Sequence, residues 1–395
     1  MTAPRPPRVP ALDLLRGIAV AAMIVVNNPG NWSSVFPQLT HASWNGVTAA
    51  DLIFPAFIFI MGVAMAFTLS PRPARRRPGA VLKTPRHDER PGSFLASTGH
   101  RASMYRRVAV RGLTLVLLGL VLNIAAAWPD VASARIPGVL QRIGITYMAT
   151  AVVMLNAGTV KRWMLAVSLL LLHWSILGAG GSLEPGQSIA AALDRGLFGS
   201  HTLTALGDPE GALGLLSSVS TALFGAVVGG WVGRDATRDE DDLSAQRIRL
   251  NGRLALAGTS AILAGYAWSF LLPLNKSLWT GSFAVLSSGA ATLSLAACYR
   301  LEQWRRALSP FLWLGVNPLT IYFLSEFSTT IMQRPGLIPG AGAVGLKDLL
   351  FWNLLVPIAR DKGGPLSSLV YAVAYLLVWI GVAGVLHRKR IRIRL

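Results

Sequence analysis

An all-α, polytopic membrane bundle of about ten transmembrane helices is predicted by three features of this sequence. Of its 395 residues, 52% are apolar and only 14% charged, whereas about a quarter of a soluble domain is charged. The mean hydropathy is +0.49. Apolar runs close to the ~20 residues that cross a hydrocarbon core of roughly 30 Å recur from one end of the chain to the other. Length alone would allow two or three soluble domains, but a single integral-membrane domain over 1–395 is the simpler reading.

The runs cover approximately residues 12–28, 51–69, 108–126, 138–157, 163–180, 212–232, 254–272, 281–298, 309–331 and 367–386. With the N-terminus inside, 29 of the 37 Lys and Arg fall on the cytoplasmic side and 8 outside. Basic residues collect on the side from which segments are inserted, so both termini are expected in the cytoplasm. The formal charge of +19 is thereby a topological signal and not a nucleic-acid footprint. The expected location is a bacterial inner (cytoplasmic) membrane, crossed many times and in contact with its lipids. A homodimer is compatible with the sequence.

Leu349 to Ala359 is apolar but too short to span, and is expected to be re-entrant or interfacial. The segment 71–101 is rich in Pro, Gly and Arg and is expected to be a mobile cytoplasmic loop. The acidic run Asp239 to Asp242 is expected to be solvated. The first apolar run ends Val26-Asn27-Asn28-Pro29-Gly30 with no small-residue cleavage site, so it reads as a retained helix. Cys298 is the only cysteine, which excludes a disulfide framework and a multi-Cys metal site, and no metal is expected.

The outer end of the first hairpin is chemically unusual. Thr40-His41-Ala42-Ser43-Trp44-Asn45-Gly46-Val47-Thr48-Ala49-Ala50-Asp51 joins an imidazole, an indole, an amide and a carboxylate within twelve residues. Asp51 lies at the head of an apolar helix, where an ionisable group is costly unless it meets a partner or water. It is either a functional carboxylate or a helix cap, and His41 taken alone is either a functional imidazole or a solvated interfacial residue.

This stretch, preceded by Leu12-Asp13-Leu14-Leu15-Arg16-Gly17 and Met23-Ile24-Val25-Val26-Asn27, resembles the signature of the heparan-alpha-glucosaminide N-acetyltransferase family. Arg135 to Arg142, Asp208-Pro209-Glu210-Gly211, Asn275 to Thr280 and Gly315-Val316-Asn317-Pro318 resemble further blocks of that family in the same order. The turn Asn28-Pro29-Gly30-Asn31 departs from it, being less glycine-rich. The resemblance implies transfer of an acetyl group from cytoplasmic acetyl-CoA to the amine of an amino sugar or glycan on the periplasmic side. It also implies a catalytic role for His41 and a place in the active site for Asn27.

The residue types suit that chemistry. An amine attacks a thioester only after losing a proton, and a histidine titrating near neutrality can take it. His41 can instead accept the acetyl group and pass it on. Asn27 and Asn45 can donate to the tetrahedral oxyanion. Asp51 can orient His41 or hold the acceptor's ammonium, and Trp44 belongs to the same acceptor-binding stretch. Arg142, near the outer end of the fourth run, either snorkels to the interface or lines the site. Asp208 and Glu210 open the next run but one, as helix caps or as sugar ligands. His201 shares their outer loop and is the second candidate histidine. His87, His100 and His387 lie among basic residues and read as solvated, and His173 beside Trp174 reads as packing. Phosphates of acetyl-CoA need Arg or Lys, and Arg16, Arg106, Arg107 and Arg111 stand at inner helix ends, as cofactor ligands or as positive-inside anchors. The rival reading is a transporter or flippase for a small anion or a sugar-linked lipid. Polar residues clustered at one end, and not along a path, favour the enzyme.

Overall fold

A computed structural model describes residues 9–69, 92–235, 243–304, 306–335 and 344–393. The helices among them are α1 (Pro10–Asn27), α2 (Ala49–Leu69), α3 (Gly92–Ala127), α4 (Val139–Asn156), α5 (Thr159–Ala179), α6 (Ile189–Phe198), α7 (Gly214–Asp235), α8 (Leu243–Trp268), α9 (Gly281–Leu301), α10 (Ser309–Val316), α11 (Pro318–Met332), α12 (Leu346–Leu350), α13 (Val356–Ala359) and α14 (Pro365–Arg388). No named strand occurs among the described residues. Among the described residues, eight helices are long and apolar enough to cross a membrane, namely α1 to α5, α7, α9 and α14.

The two remaining expected spans depart from that description for visible reasons. The run 254–272 is the second half of α8, whose first half carries Arg247, Arg249 and Arg253 and dilutes its apolar character. The run 309–331 is broken in two. Pro318 has no N–H to offer and pushes the preceding residue away from helical angles, so Asn317 sits at φ −128° and ψ 52° between α10 and α11. The freed Asn317 amide holds the chain beyond α14, donating to the Ile391 carbonyl at 3.1 Å and accepting from the Ile393 N–H at 2.9 Å.

Three further differences concern shorter pieces. Helix α3 starts at Gly92, so the last part of the segment read as a loop, 92–101, is helical; residues 70–91 and the acidic run fall outside the described residues. Helix α6 was too short to register as a span, and its N-terminus is capped by Ser188, whose hydroxyl accepts from the Ala191 N–H at 3.2 Å. The apolar stretch near 349–359 folds as α12, one π-helical stretch over Phe351–Leu355, and α13.

Close helix crossings rest on glycine. Lipid tails are as apolar as leucine, so membrane helices associate by close backbone packing, which small residues allow. At the α2–α7 crossing a Cβ on Gly62 would lie 1.9 Å from the Ala222 carbonyl oxygen, and one on Gly225 would lie 2.1 Å from that of Phe59. At the α1–α10 crossing a Cβ on Gly17 would lie 1.7 Å from the Phe311 oxygen, and Gly315 abuts Asp13 in return.

These contacts fix the layout of the two ends. Gly315 against Asp13 and Asn317 against Ile391 bring the start of α1 and the end of α14 to one end of the bundle. At the opposite end the loops after α1, α3, α5, α6 and α8 knit together. Trp44 Nε1 donates to the Leu183 carbonyl at 3.0 Å, the Ile136 N–H to the His201 carbonyl at 2.9 Å, and Asn275 Nδ2 to Asn45 Oδ1 at 3.1 Å.

Gly62→Ala is expected to cost about 1–3 kcal/mol through overpacking and to lower the melting temperature in detergent. Gly230→Ala, where an added Cβ meets nothing within 4 Å, serves as the control. Equal melting of the two variants would contradict this account of the α2–α7 crossing.

Candidate active site

The knitted end is organised around a buried carboxylate. Asp51 lies in the first turn of α2 with its side chain 1% exposed. Its Oδ2 accepts from the Ala42 N–H at 3.1 Å and the Thr48 N–H at 3.0 Å, and the Thr48 hydroxyl lies 3.1 Å away while also reaching the Thr40 carbonyl at 2.6 Å. These bonds bend residues 40–48 back over the helix start. The bend sets His41 Nδ1 2.9 Å from Asp51 Oδ1. An imidazole that gives its Nδ1 proton to a carboxylate presents Nε2 as the acceptor. The His41 side chain is 47% exposed, so that face is open.

Lys276 completes the group from the loop between α8 and α9. Its Nζ lies 3.1 Å from both ring nitrogens of His41 and 3.7 Å from Asp51 Oδ1. Equal distances to the two nitrogens set the ammonium beside the ring and off the line of either lone pair. Burial lowers the pKa of Lys276, against the opposing pull of the Glu210 and Asp51 charges. The loop is stiff around it: Asn275 Oδ1 accepts from the Leu278 N–H at 2.8 Å, and Trp279 is held at φ 51°, a region that side chains avoid.

Trp279 is fully buried, with Phe54 edge-on at 5.2 Å and the Arg142 guanidinium 4.8 Å above its ring. Arg142 is 2% exposed, so it lines the interior of the bundle and does not snorkel. Its Nη2 donates to the Gly211 carbonyl at 2.8 Å, while its Nε and Nη1 have no partner among the described residues. His173 is buried as well, on α5, with neither ring nitrogen bonded among the described residues.

Asp208 and Glu210 do not cap a helix, because α7 begins only at Gly214. They clasp Arg135. Arg135 Nε donates to Asp208 Oδ2 at 2.7 Å, and its Nη2 bonds both Asp208 Oδ1 and Glu210 Oε2. Burial works against the Arg135 charge, yet the two carboxylates hold its pKa above the ordinary value. His201 serves the same loop junction, its Nδ1 3.0 Å from the Ala134 carbonyl oxygen.

Asn27 ends α1 and donates from Nδ2 to Glu326 Oε1 of α11 at 3.1 Å. Of the arginines at the opposite end, Arg16 pairs with Asp13 at 2.9 Å and feels the charge of Arg111, which lies 5.0 Å over the Tyr147 ring. Arg106 and Arg107 are exposed, and Arg107 Nε returns to the Ser103 carbonyl at 3.2 Å. His387 stacks on Trp313 at 6.2 Å.

The structure thus gathers His41, Asp51, Asn45, Trp44, Asp208, Glu210, His201 and Arg142 at one end and adds three residues that the sequence reading left out: Lys276, Arg135 and Glu326. Lys276 and Arg135 lie within the blocks Asn275 to Thr280 and Arg135 to Arg142, in which neither was given a role of its own. A lone cation inside an apolar block, as in Asn275-Lys276-Ser277-Leu278-Trp279, was the available signal for the first. Glu326 carried a signal of the same kind, a single carboxylate within an otherwise apolar run.

Comparison with known proteins agrees with the resemblance read from the motifs. Residues 8–180 match the family described as heparan-alpha-glucosaminide N-acetyltransferase, catalytic. Over 446 residues the chain is 25% identical to heparan-alpha-glucosaminide N-acetyltransferase of Homo sapiens, covering 98% of this chain and 60% of that protein. The Mus musculus protein of the same name is 25% identical over 444 residues, covering 97% of this chain and 60% of the relative. The chain therefore spans well under two thirds of the length of these relatives.

Removing Arg135 leaves two buried carboxylates unpaired, which typically costs about 3–5 kcal/mol. Arg135→Met is expected to lower the melting temperature sharply, and the triple variant Arg135→Met, Asp208→Asn, Glu210→Gln to recover most of the loss. A triple variant no more stable than the single one would show that the clasp is not an electrostatic unit.

Proposed function

We propose that this protein is a membrane acetyltransferase that moves an acetyl group from acetyl-CoA to the amine of an amino sugar or glycan. Acetyl-CoA enters from the cytoplasm and the acceptor from the periplasmic side, with both termini cytoplasmic. The observation that carries the reading is the His41–Asp51 pair at 2.9 Å, on a hairpin that belongs to the matched catalytic region.

Asp51 orients the imidazole and stabilises the imidazolium that forms when Nε2 takes a proton. Its oxygens are engaged by His41, Ala42, Thr48 and the nearby Lys276, which suits it to orienting and not to holding the acceptor. His41 either deprotonates the attacking amine or carries the acetyl group between donor and acceptor. On the first route the nitrogen attacks the thioester carbon, its proton goes to Nε2, and the thiolate leaves. On the second, Nε2 attacks the thioester carbon and coenzyme A departs as thiolate, and the amine then attacks the acetylimidazolium, losing its proton to solvent as the neutral imidazole leaves. On either route negative charge develops on the acetyl oxygen, and the Lys276 ammonium beside His41 is suited to stabilise it, an effect typically worth a hundredfold or more in rate.

Trp44, Asn45, Arg142, Asp208, Glu210 and His201 frame the acceptor side, mostly by holding the loops in register. Arg16 and Arg111 stand close together at the opposite end and, with Arg106 and Arg107, can meet phosphate. A helix of about 20 residues rises roughly 30 Å, and an extended pantetheine arm with its nucleotide has comparable reach.

Purified protein given labelled acetyl-CoA and a panel of amino sugars is expected to form an N-acetyl product. His41→Ala should abolish turnover at any acetyl-CoA concentration while leaving acetyl-CoA binding nearly intact, whereas Arg111→Ala should chiefly raise KM for acetyl-CoA. Near wild-type acetylation by His41→Ala would overturn the assignment. Asp51→Asn should keep the fold and lower kcat by about 10–100-fold. Release of coenzyme A before any acceptor is added marks the carrier route, and its absence marks the direct one.

A further inference from the structure

Besides Asp194, a buried carboxylate that accepts from the Ala212 N–H at 2.8 Å, four acidic side chains border the site, and three of them have cationic neighbours. Asp51 has Lys276 and His41, while Asp208 and Glu210 share Arg135. Glu326 is different. Its Oε1 accepts the Asn27 amide at 3.1 Å, and among the described residues it forms no ion pair. A carboxylate on a helix inside a membrane bundle is costly unless a cation or water meets it.

Its setting is rigid yet not sealed. The Thr329 hydroxyl, one turn along α11, contacts the Asn28 side-chain oxygen at the end of α1 and lies 3.0 Å from the Tyr375 hydroxyl of α14. Tyr375 in turn donates to the Ser325 carbonyl at 2.8 Å. Three helices are thereby pinned around Glu326, which nevertheless keeps partial solvent access while Thr329 and Ser325 are buried. The position lies toward the same end of the bundle as the His41 group: Asn27, its partner, ends α1, and the loop that follows carries His41.

We propose that Glu326, oriented by Asn27, holds the ammonium group of the amino-sugar acceptor and thereby selects an amine over a hydroxyl. This rests on the acetyl-transfer reading, which supplies the amine. It gives the unpaired carboxylate a cation that arrives with substrate and leaves as a neutral amide, so product is released from a site that no longer attracts it. Glu326 is a positioning residue; the ammonium gives its first proton to solvent before attack, and the attacking amine gives its second to Nε2 of His41 on the direct route.

The test is binding to purified full-length protein, which needs no turnover. Calorimetry with glucosamine and with glucose is expected to show about a tenfold preference for glucosamine, the scale of one charge-assisted hydrogen bond. Glu326→Gln should bind the two sugars alike with an unchanged melting temperature, and Glu326→Asp should keep the preference. In turnover, Glu326→Gln should raise KM for the amine about tenfold and leave KM for acetyl-CoA alone. Should Glu326→Gln fail to fold, the wild-type protein suffices: glucosamine, but not glucose, should protect Glu326 from an apolar carbodiimide, read by mass spectrometry. No preference in the wild type, an undiminished preference in Glu326→Gln, or equal protection by both sugars would overturn the proposal. Acetyl transfer without the preference refutes this site alone. A preference without acetyl transfer to any amine refutes the enzymatic reading and leaves the ammonium site standing.

Discussion

The buried carboxylate of Asp51 is the constraint to which the active end of the molecule is fitted. A charge with 1% exposure at the head of a membrane helix must be met by donors, and the chain meets it locally with the N–H groups of Ala42 and Thr48. Satisfying those bonds forces residues 40–48 to curl over the helix start. The curl leaves one carboxylate oxygen for His41 and a place beside it for Lys276. The orientation of the imidazole is thus a consequence of neutralising a helix-end charge. That economy explains why the acid, the imidazole and the turn residues stand so close in sequence.

Polar groups also do the joining that apolar burial does in a soluble protein. The long helices present apolar faces to lipid, which gives no drive for one helix to seek another. Contacts at glycine let the backbones meet, but they do not fix which loop lies over which. The loops at the His41 end are registered by charged and amide side chains: Arg135 to Asp208 and Glu210, Asn275 to Asn45, and Trp44 to the Leu183 carbonyl. Such groups bind strongly because they are shielded from water, and a missing partner is correspondingly costly.

How much of this was legible in the sequence follows from the range of each signal. Most helices were readable because hydropathy is a local sum. Helix α6 was not, since ten residues cannot span, and the break at Asn317 was readable only as Asn-Pro within a run otherwise apolar enough to look continuous. In the site, His41 and Asp51 are ten residues apart and their pairing could be anticipated. Lys276 is 235 residues from His41 and Glu326 is 299 from Asn27. No local pattern reports such meetings, which the three-dimensional path of the bundle creates. For Asp208 and Glu210 the reading left cap and sugar ligand open, and the cap falls away because a distant arginine claims both carboxylates ahead of the helix start.

The arrangement of charge has a direction that bears on chemistry. At the His41 end, acids and bases are matched so closely that each group has a fixed partner, and a site of this kind pre-orients dipoles instead of reorganising them during reaction. Two groups depart from that matching: Glu326, which forms no ion pair among the described residues, and Arg142, a buried guanidinium with two of its nitrogens unpartnered among the described residues, facing Trp279. Cation and indole together form a flat, polarisable floor under the loop that carries Lys276. Trp279 sits in an uncommon backbone conformation within a loop that Asn275 closes through bonds to Leu278 and Thr280, which fixes the backbone from which Lys276 extends. Rigidity at the reacting centre is therefore supplied from below by Arg142 and Trp279 and from within by Asp51. On the proposed acetyl-transfer reading, the exposed face of His41 is the direction from which the reacting groups come.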